Sequence, residues 1–222
     1  MMKKHLSLLL YILVGTFFIL PVMSGNVYGN DWELVKEADE IQVFKRNVIS
    51  SAIDEFKAVT FINTSVEIIN EVLLDVSAQS EWMAFNKDVS LIKRDEDGFI
   101  FYHALDMPWP VANRDVVIKT IMFSDLLNGV YLSYFSAVND LSVPASSYNI
   151  RIKQMKGKWY FKRVSKDLTY FVCQMHIEPG GKIPSFIINN FSENIAFSNI
   201  KALKKISKKL KYVTLAREKK LM

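Results

Sequence analysis

The chain has 222 residues, half of them hydrophobic and 13% aromatic. This fits one well-packed domain and excludes both a disordered chain and two full-sized cores. Its formal charge of +5 comes from 28 basic and 23 acidic residues, too small an excess to indicate nucleic acid by itself. The lone cysteine, Cys173, excludes an intramolecular disulfide and a multi-thiolate zinc site.

The charge is unevenly spread. From Lys201 to Met222 nine basic residues face a single acid, Glu218, which puts this segment at +8. Lys3 and Lys4 add to the excess near the start, so the body between is net acidic. Residues 210–222 read as a basic C-terminal tail. The tail is either a solvated helix end or a transient contact for an anionic membrane surface. With an acidic body, no nucleic-acid partner is expected.

Met1 to Lys4 form a positive start, Leu6 to Leu20 an apolar run ended by Pro21, and Ser24, Gly25 and Gly29 supply small residues. This is the anatomy of a signal peptide over residues 1–29, cut after about residue 24 or 29. Neither site has the Ala-x-Ala form, and the alternative is an uncleaved N-terminal anchor. Export is expected on either reading, to the periplasm in a bacterium with two membranes.

Asp31 caps an expected short helix, Trp32 to Glu37. Ile41 to Arg46 and Phe56 to Ile62 alternate as strands do. Thr64, with Glu67 three residues on, predicts a capping box opening a helix through Ile68, Ile69, Val72, Leu73 and Val76. Glu81-Trp82-Met83 opens a short helix or turn. Strands then follow in pairs. Val89–Lys93 and Phe99–Leu105 flank Asp95-Glu96-Asp97-Gly98, and Asp115–Phe123 and Val130–Ala137 flank Asn128-Gly129. Tyr148–Met155 and Trp159–Ser165 flank an expected turn at Lys156-Gly157-Lys158, and Leu168–Ile177 is a last strand. One long helix runs from Pro184 to about Lys209. A long antiparallel meander followed by a long amphipathic helix describes an α+β domain. A sheet curved strongly enough around such a helix leaves an internal apolar space.

Two segments then carry a family resemblance. Met107-Pro108-Trp109-Pro110-Val111-Ala112-Asn113-Arg114-Asp115 resembles the Pro-x-Pro and Arg-Asp segment of START (StAR-related lipid transfer) domains. Ile177-Glu178-Pro179-Gly180-Gly181-Lys182-Ile183-Pro184, with Asn189 and Asn190 after it, resembles the approach to that family's last helix. The resemblance covers residues 31–209. It implies a helix-grip fold, a curved antiparallel sheet wrapped around a long C-terminal helix, with a hydrophobic tunnel for a lipid or other apolar small molecule. It implies no cofactor.

The candidate cavity or lid residues are Trp82, Trp109, Arg114, His103, His176, Phe186, Ile187, Asn190, Phe191 and Ile195. Trp109 covers one end of the sheet or the pocket rim. Arg114 and Asp115 are adjacent, so in a strand they point to opposite faces. Arg114 either meets a ligand's polar head inside the tunnel or pairs with a carboxylate for structure. The loop 138–147 is expected beside the tunnel mouth. Two histidines in separate strands make a poor metal site, and no nucleophile elbow, P-loop or dinucleotide fingerprint occurs. No catalytic residue is assigned. The alternative function is an enzyme of the wider helix-grip class, a cyclase or hydrolase, which would need inward polar pairs with shifted pKa values.

Overall fold

Alternating apolar residues build the strands of one ten-stranded sheet among the described residues. The computed structural model describes residues 32–109, 111–140, 142–144 and 146–221; the expected signal peptide lies outside them. The strands are β1 (Glu33–Ala38), β2 (Ile41–Arg46), β3 (Glu55–Ile62), β4 (Asn86–Asp95), β5 (Gly98–Leu105), β6 (Arg114–Asp125), β7 (Val130–Ala137), β8 (Ile150–Arg151), β9 (Gln154–Ser165) and β10 (Leu168–Glu178). They lie in the order β1-β2-β3-β10-β9-β7-β6-β5-β4, each pair antiparallel, with the short β8 added to β6 in parallel. The helices are α1 (Val66–Leu74), α2 (Ser185–Ile206) and α3 (Leu210–Leu221). The sheet grips α2, the architecture that the sequence led us to expect.

Five local readings need correction. Residues 33–38 form β1 rather than a helix, because they return along β2 with Ala38 opposite Ile41. The intervening Asp39 and Glu40 both take positive φ, 50° and 59°, the geometry of a two-residue hairpin turn. Lys201 of α2 fixes that turn through Asp39 Oδ2 at 2.6 Å, and Lys204 through Glu40 Oε2 at 3.1 Å. The helix cap falls on Ser65 rather than Thr64; the Thr64 carbonyl instead accepts the Thr169 hydroxyl at 2.8 Å. Trp82 closes a single 3-10 turn, Ser77–Glu81, instead of opening one.

The turn expected at Lys156-Gly157-Lys158 does not exist, since β9 runs straight through it. Gly157 is there for packing. A Cβ would come within 2.3 Å of Phe135 Cζ and 2.4 Å of the Gln174 carbonyl oxygen. The long helix also ends sooner than expected, at Ile206, and the segment read as a tail folds as α3. Tyr212 buries its ring and donates to Asp75 Oδ2 at 3.2 Å, while Lys219 pairs with Glu71 of α1 at 2.8 Å.

Register brings several strand ends to one end of the sheet. β3 begins where β10 ends, β9 begins beside that, and the β5–β6 connection joins Leu105 to Arg114 at the same end. The connections that leave Arg46, Leu105, Ala137 and Glu178 therefore set out from that end, with the first turn of α2. The helices α1 and α3 lie at the opposite end, where β3 hands over to α1. Beyond the middle of the sheet a row of rings fills the concave side. Tyr131 stacks on Phe161 with centroids 5.0 Å apart, and Phe161 on Phe171 at 5.9 Å. Toward the loop end a space remains between α2 and the sheet, edged by the rings of Trp82, Trp159 and Phe135.

Candidate ligand-binding site

That space is a cavity of about 150 Å³ between the inner face of α2 and the concave side of the sheet. Each strand contributes alternate residues. From β10 come Phe171, Cys173, Met175 and Ile177; from β6, Arg114, Val116 and Ile118. The segment before β4 adds Trp82, Met83 and Phe85, and α2 adds Ile188, Phe191, Ser192, Ile195 and Asn199. Met83, Met107, Met155 and Met175 all line the wall. Methionine side chains repack readily around ligands of different shape. Among the described residues no Asp or Glu lines the cavity.

Five of the expected residues meet here: Trp82, His103, Arg114, Phe191 and Ile195. The other five do not. Trp109 is 93% exposed and is not part of the wall. Phe186 is 72% exposed, and Asn190 is exposed and accepts from the Asn194 side chain at 2.9 Å. Ile187 is half-buried outside the lining, because the inward stripe of α2 is set by Ile188 and runs one residue out of phase with it. His176 alternates with Met175 and Ile177 and so faces the outer side. There its Nε2 lies 3.2 Å from the Ile53 carbonyl oxygen and 3.5 Å from Glu178 Oε1.

The two charged residues of the Arg-Asp segment part company as alternation requires. Asp115 faces away from the cavity, fully buried, and is gripped by Arg151 Nε at 2.7 Å and by the Tyr102 hydroxyl at 3.1 Å. Arg114 faces inward and is 2% exposed. It donates to the carbonyls of Ala112 and Gly180, the latter at 3.3 Å. Among the described residues no carboxylate pairs with it, which removes the structural ion pair considered from sequence. Burial draws its pKa below the ordinary guanidinium value, yet a guanidinium stays protonated in proteins.

Among the described residues, three nitrogens of the lining are buried without a partner: Trp82 Nε1, His103 Nε2 and Arg114 Nε. Burial pulls the His103 pKa down to about 4, against a small opposing effect of Asp88, so the imidazole is neutral at pH 7. The Cys173 thiol is pushed up to about 12 by burial, a donation from Trp159 notwithstanding. A thiol so placed is packing rather than a nucleophile.

The signal for the residues missed from sequence was present on β10. Phe171, Cys173, Met175 and Ile177 alternate as cleanly as Val172, Gln174 and His176 do, and composition favours the first set as the apolar face. Ser192 and Asn199 carried no such signal; Asn199 Oδ1 accepts the Ala84 backbone N–H at 2.7 Å and so ties α2 to the segment before β4.

A curved antiparallel sheet closed by a long terminal helix over an apolar cavity defines a helix-grip protein. The profile of the START domain family matches residues 24–212, and the chain belongs to that family. Among solved structures, a STAR-related lipid transfer protein from Xanthomonas axonopodis superposes with a TM-score of 0.75. It is 30% identical, over 81% of this chain and 100% of that one. An uncharacterized protein of Pseudomonas aeruginosa is 28% identical over 84% of this chain and 92% of its own length. The phosphatidylcholine transfer protein of Mus musculus is 26% identical over 75% of this chain and 78% of its own.

Proposed function

We propose that the protein carries one lipid, or another hydrophobic small molecule, in the cavity between α2 and the sheet, as a carrier or sensor in the cell envelope. The observation that carries this reading is the apolar cavity itself, in a family whose relatives include lipid transfer proteins. Export rests on the signal-peptide pattern of residues 1–29. Burying roughly 400 Å² of hydrocarbon at about 25 cal/mol per Å² yields about 10 kcal/mol before entropic costs.

A volume of about 150 Å³ is the size of a cavity that holds a benzene-sized ligand. Ligand pockets run from roughly 300 Å³ upward. A lipid chain therefore requires this closed form to open, and the packing of α2 supports an opening at its first half. Ala196, Ile200, Leu203 and Ile206 anchor the second half, whereas from Ser185 to Ile195 only Ile188 is buried. Gly180 and Gly181 precede the helix at φ of 67° and 74°, values that few other residues adopt. They are the natural hinge for the first turns of α2.

The same end of the molecule is the better candidate for membrane contact. Ile49, Trp109, Tyr148 and Phe186 are all exposed there, and aromatic side chains favour the membrane–water boundary. The basic α3 lies at the far end, with Lys211 and Lys219 already paired to Asp75 and Glu71 and the preceding Lys209 paired to Glu81. That no carboxylate among the described residues lines the cavity beside His103 favours carriage over acid–base catalysis.

Native mass spectrometry of the protein taken from its own envelope tests this. One co-purifying lipid per chain is expected. A chain that arrives empty and takes up no lipid from vesicles would refute the reading.

A further inference from the structure

We propose that the cavity holds its ligand by an anionic oxygen headgroup, a carboxylate or a phosphate monoester, gripped by Arg114 and His103 near the loop end, with the hydrocarbon running inward beneath α2. This rests on the carrier reading and narrows it to one ligand class.

A buried cation normally has a counter-ion or a full set of hydrogen bonds. Arg114 has neither. Its partners are two neutral carbonyls, its Nε is buried without an acceptor, and its neighbour Asp115 is turned to the other face and occupied by Arg151 and Tyr102. The guanidinium lies under the turn into α2, where a Cβ on Gly181 would stand 3.4 Å from its Nη2. It therefore occupies the end of the cavity that the mouth loops surround.

His103 completes the pair. Register sets His103 opposite Val116 and Leu105 opposite Arg114. His103 and Arg114 are thus diagonal neighbours on one face of adjacent strands, roughly 7 Å apart in backbone position. The Nε2 of His103 lacks a partner and lies in the same wall. A neutral imidazole with a proton on that nitrogen donates to an anion without adding charge. No lining carboxylate among the described residues repels one. Inward from the pair, the wall is Ile118, Phe171, Ile200 and Leu203, suited to hydrocarbon. A carboxylate or phosphate supplies the missing acceptors at Arg114 through charge-assisted bonds. A sterol hydroxyl or a ceramide would leave the guanidinium without a counter-charge.

The test uses displacement of a neutral fluorescent probe, N-phenyl-1-naphthylamine, from the purified protein at pH 8 by dodecanol, dodecanoate and dodecyl phosphate. These competitors share one chain and differ in the head. At least one anion is expected to compete about tenfold or more better than dodecanol, the scale of one charge-assisted bond. Which anion is stronger tells a carboxylate source from a phosphate source. Arg114→Met should lose that preference while still binding dodecanol. Anions no better than dodecanol in the wild type, or a preference kept in Arg114→Met, overturn the headgroup assignment and leave the carrier reading intact. A protein that binds neither probe nor competitors overturns both. Should Arg114→Met fail to fold, the wild-type series alone decides.

Discussion

Asp115 and Arg151 form a two-pronged ion pair on the outer side of β6, with Nε 2.7 Å from Oδ1 and Nη2 3.2 Å from Oδ2. The pair also ties down the loop before β8, since the same guanidinium donates to the Val143 and Pro144 carbonyls at 3.2 and 3.1 Å. Removing one partner of a buried pair leaves an uncompensated charge. Asp115→Ala is expected to lose about 3 kcal/mol or more in urea unfolding. Arg114→Met, one residue away, is expected to change stability by less than about 1 kcal/mol, because no ion pair is lost. Equal losses in the two variants would show that Arg114 is held for structure.

Gly157 makes a second, independent demand on packing. The Phe135 ring and the Gln174 carbonyl both occupy the space a Cβ would need. Gly157→Ala should cost about 1–3 kcal/mol through overpacking. Adding Phe135→Leu should recover part of that loss but not all, since the carbonyl remains. Thermal melts of the two variants and the wild type check this, and an undisturbed Gly157→Ala would contradict the close approach.

The legible parts of the fold were those where period and turn chemistry agree. β2, β3 and the hairpins at Asp95-Glu96-Asp97-Gly98 and Asn128-Gly129 could be drawn from alternation and turn residues alone. β1 could not, because its turn, Asp39-Glu40, lacks glycine or asparagine and is held from α2 by Lys201 and Lys204. The glycine at position 157 looked like a turn because a turn and a close packing contact leave the same mark. At the site, Arg114 came from the START-like Arg-Asp segment, while the reasoning that named His103 named His176 equally, and only His103 lines the cavity. On α2, Phe186, Ile187, Ile188 and Phe191 are apolar nearly all round, so periodicity could not say which face turns inward.

His103 gives the stability a pH dependence with a defined sign. Its folded pKa is about 4, against an unfolded value of about 6.5. Between these values the unfolded chain binds a proton that the folded chain does not. The stabilisation is therefore complete above about pH 6.5 and is lost as pH falls toward 4, amounting to about 3 kcal/mol at full extent. His103→Gln should flatten the difference in unfolding free energy between pH 7 and pH 4.5. A slope that survives the substitution would assign it to other groups.

Two ends of the molecule are candidates for the proposed membrane contact, and substitution separates them. Trp109→Ala combined with Phe186→Ser removes two exposed rings beside the mouth and should weaken sedimentation with anionic vesicles several-fold. Lys205→Gln combined with Lys208→Gln removes exposed charge near α3, where each lysine close to a surface would contribute about 1 kcal/mol. The lysine variant is expected to sediment as the wild type does. The reverse result would return the contact to the basic end.

Cys173 reports on the opening of α2 because it lines the closed cavity and its thiol is pushed up to about 12. In the closed form the thiolate fraction at pH 8 is about one in ten thousand, far below that of a free thiol with a pKa of about 8.5. A neutral alkylating agent should therefore react about a thousandfold more slowly with the native protein than with a free cysteine. If the reaction proceeds within the closed form, its rate should climb tenfold per pH unit without levelling near 8.5. If it proceeds through an opened form, the thiol meets water and the profile should level there instead. Vesicles that draw α2 open should raise the second component, and a bound ligand should suppress it. Labelling at the free-thiol rate in the absence of vesicles would mean that the cavity is not closed at rest, and that α2 is no lid.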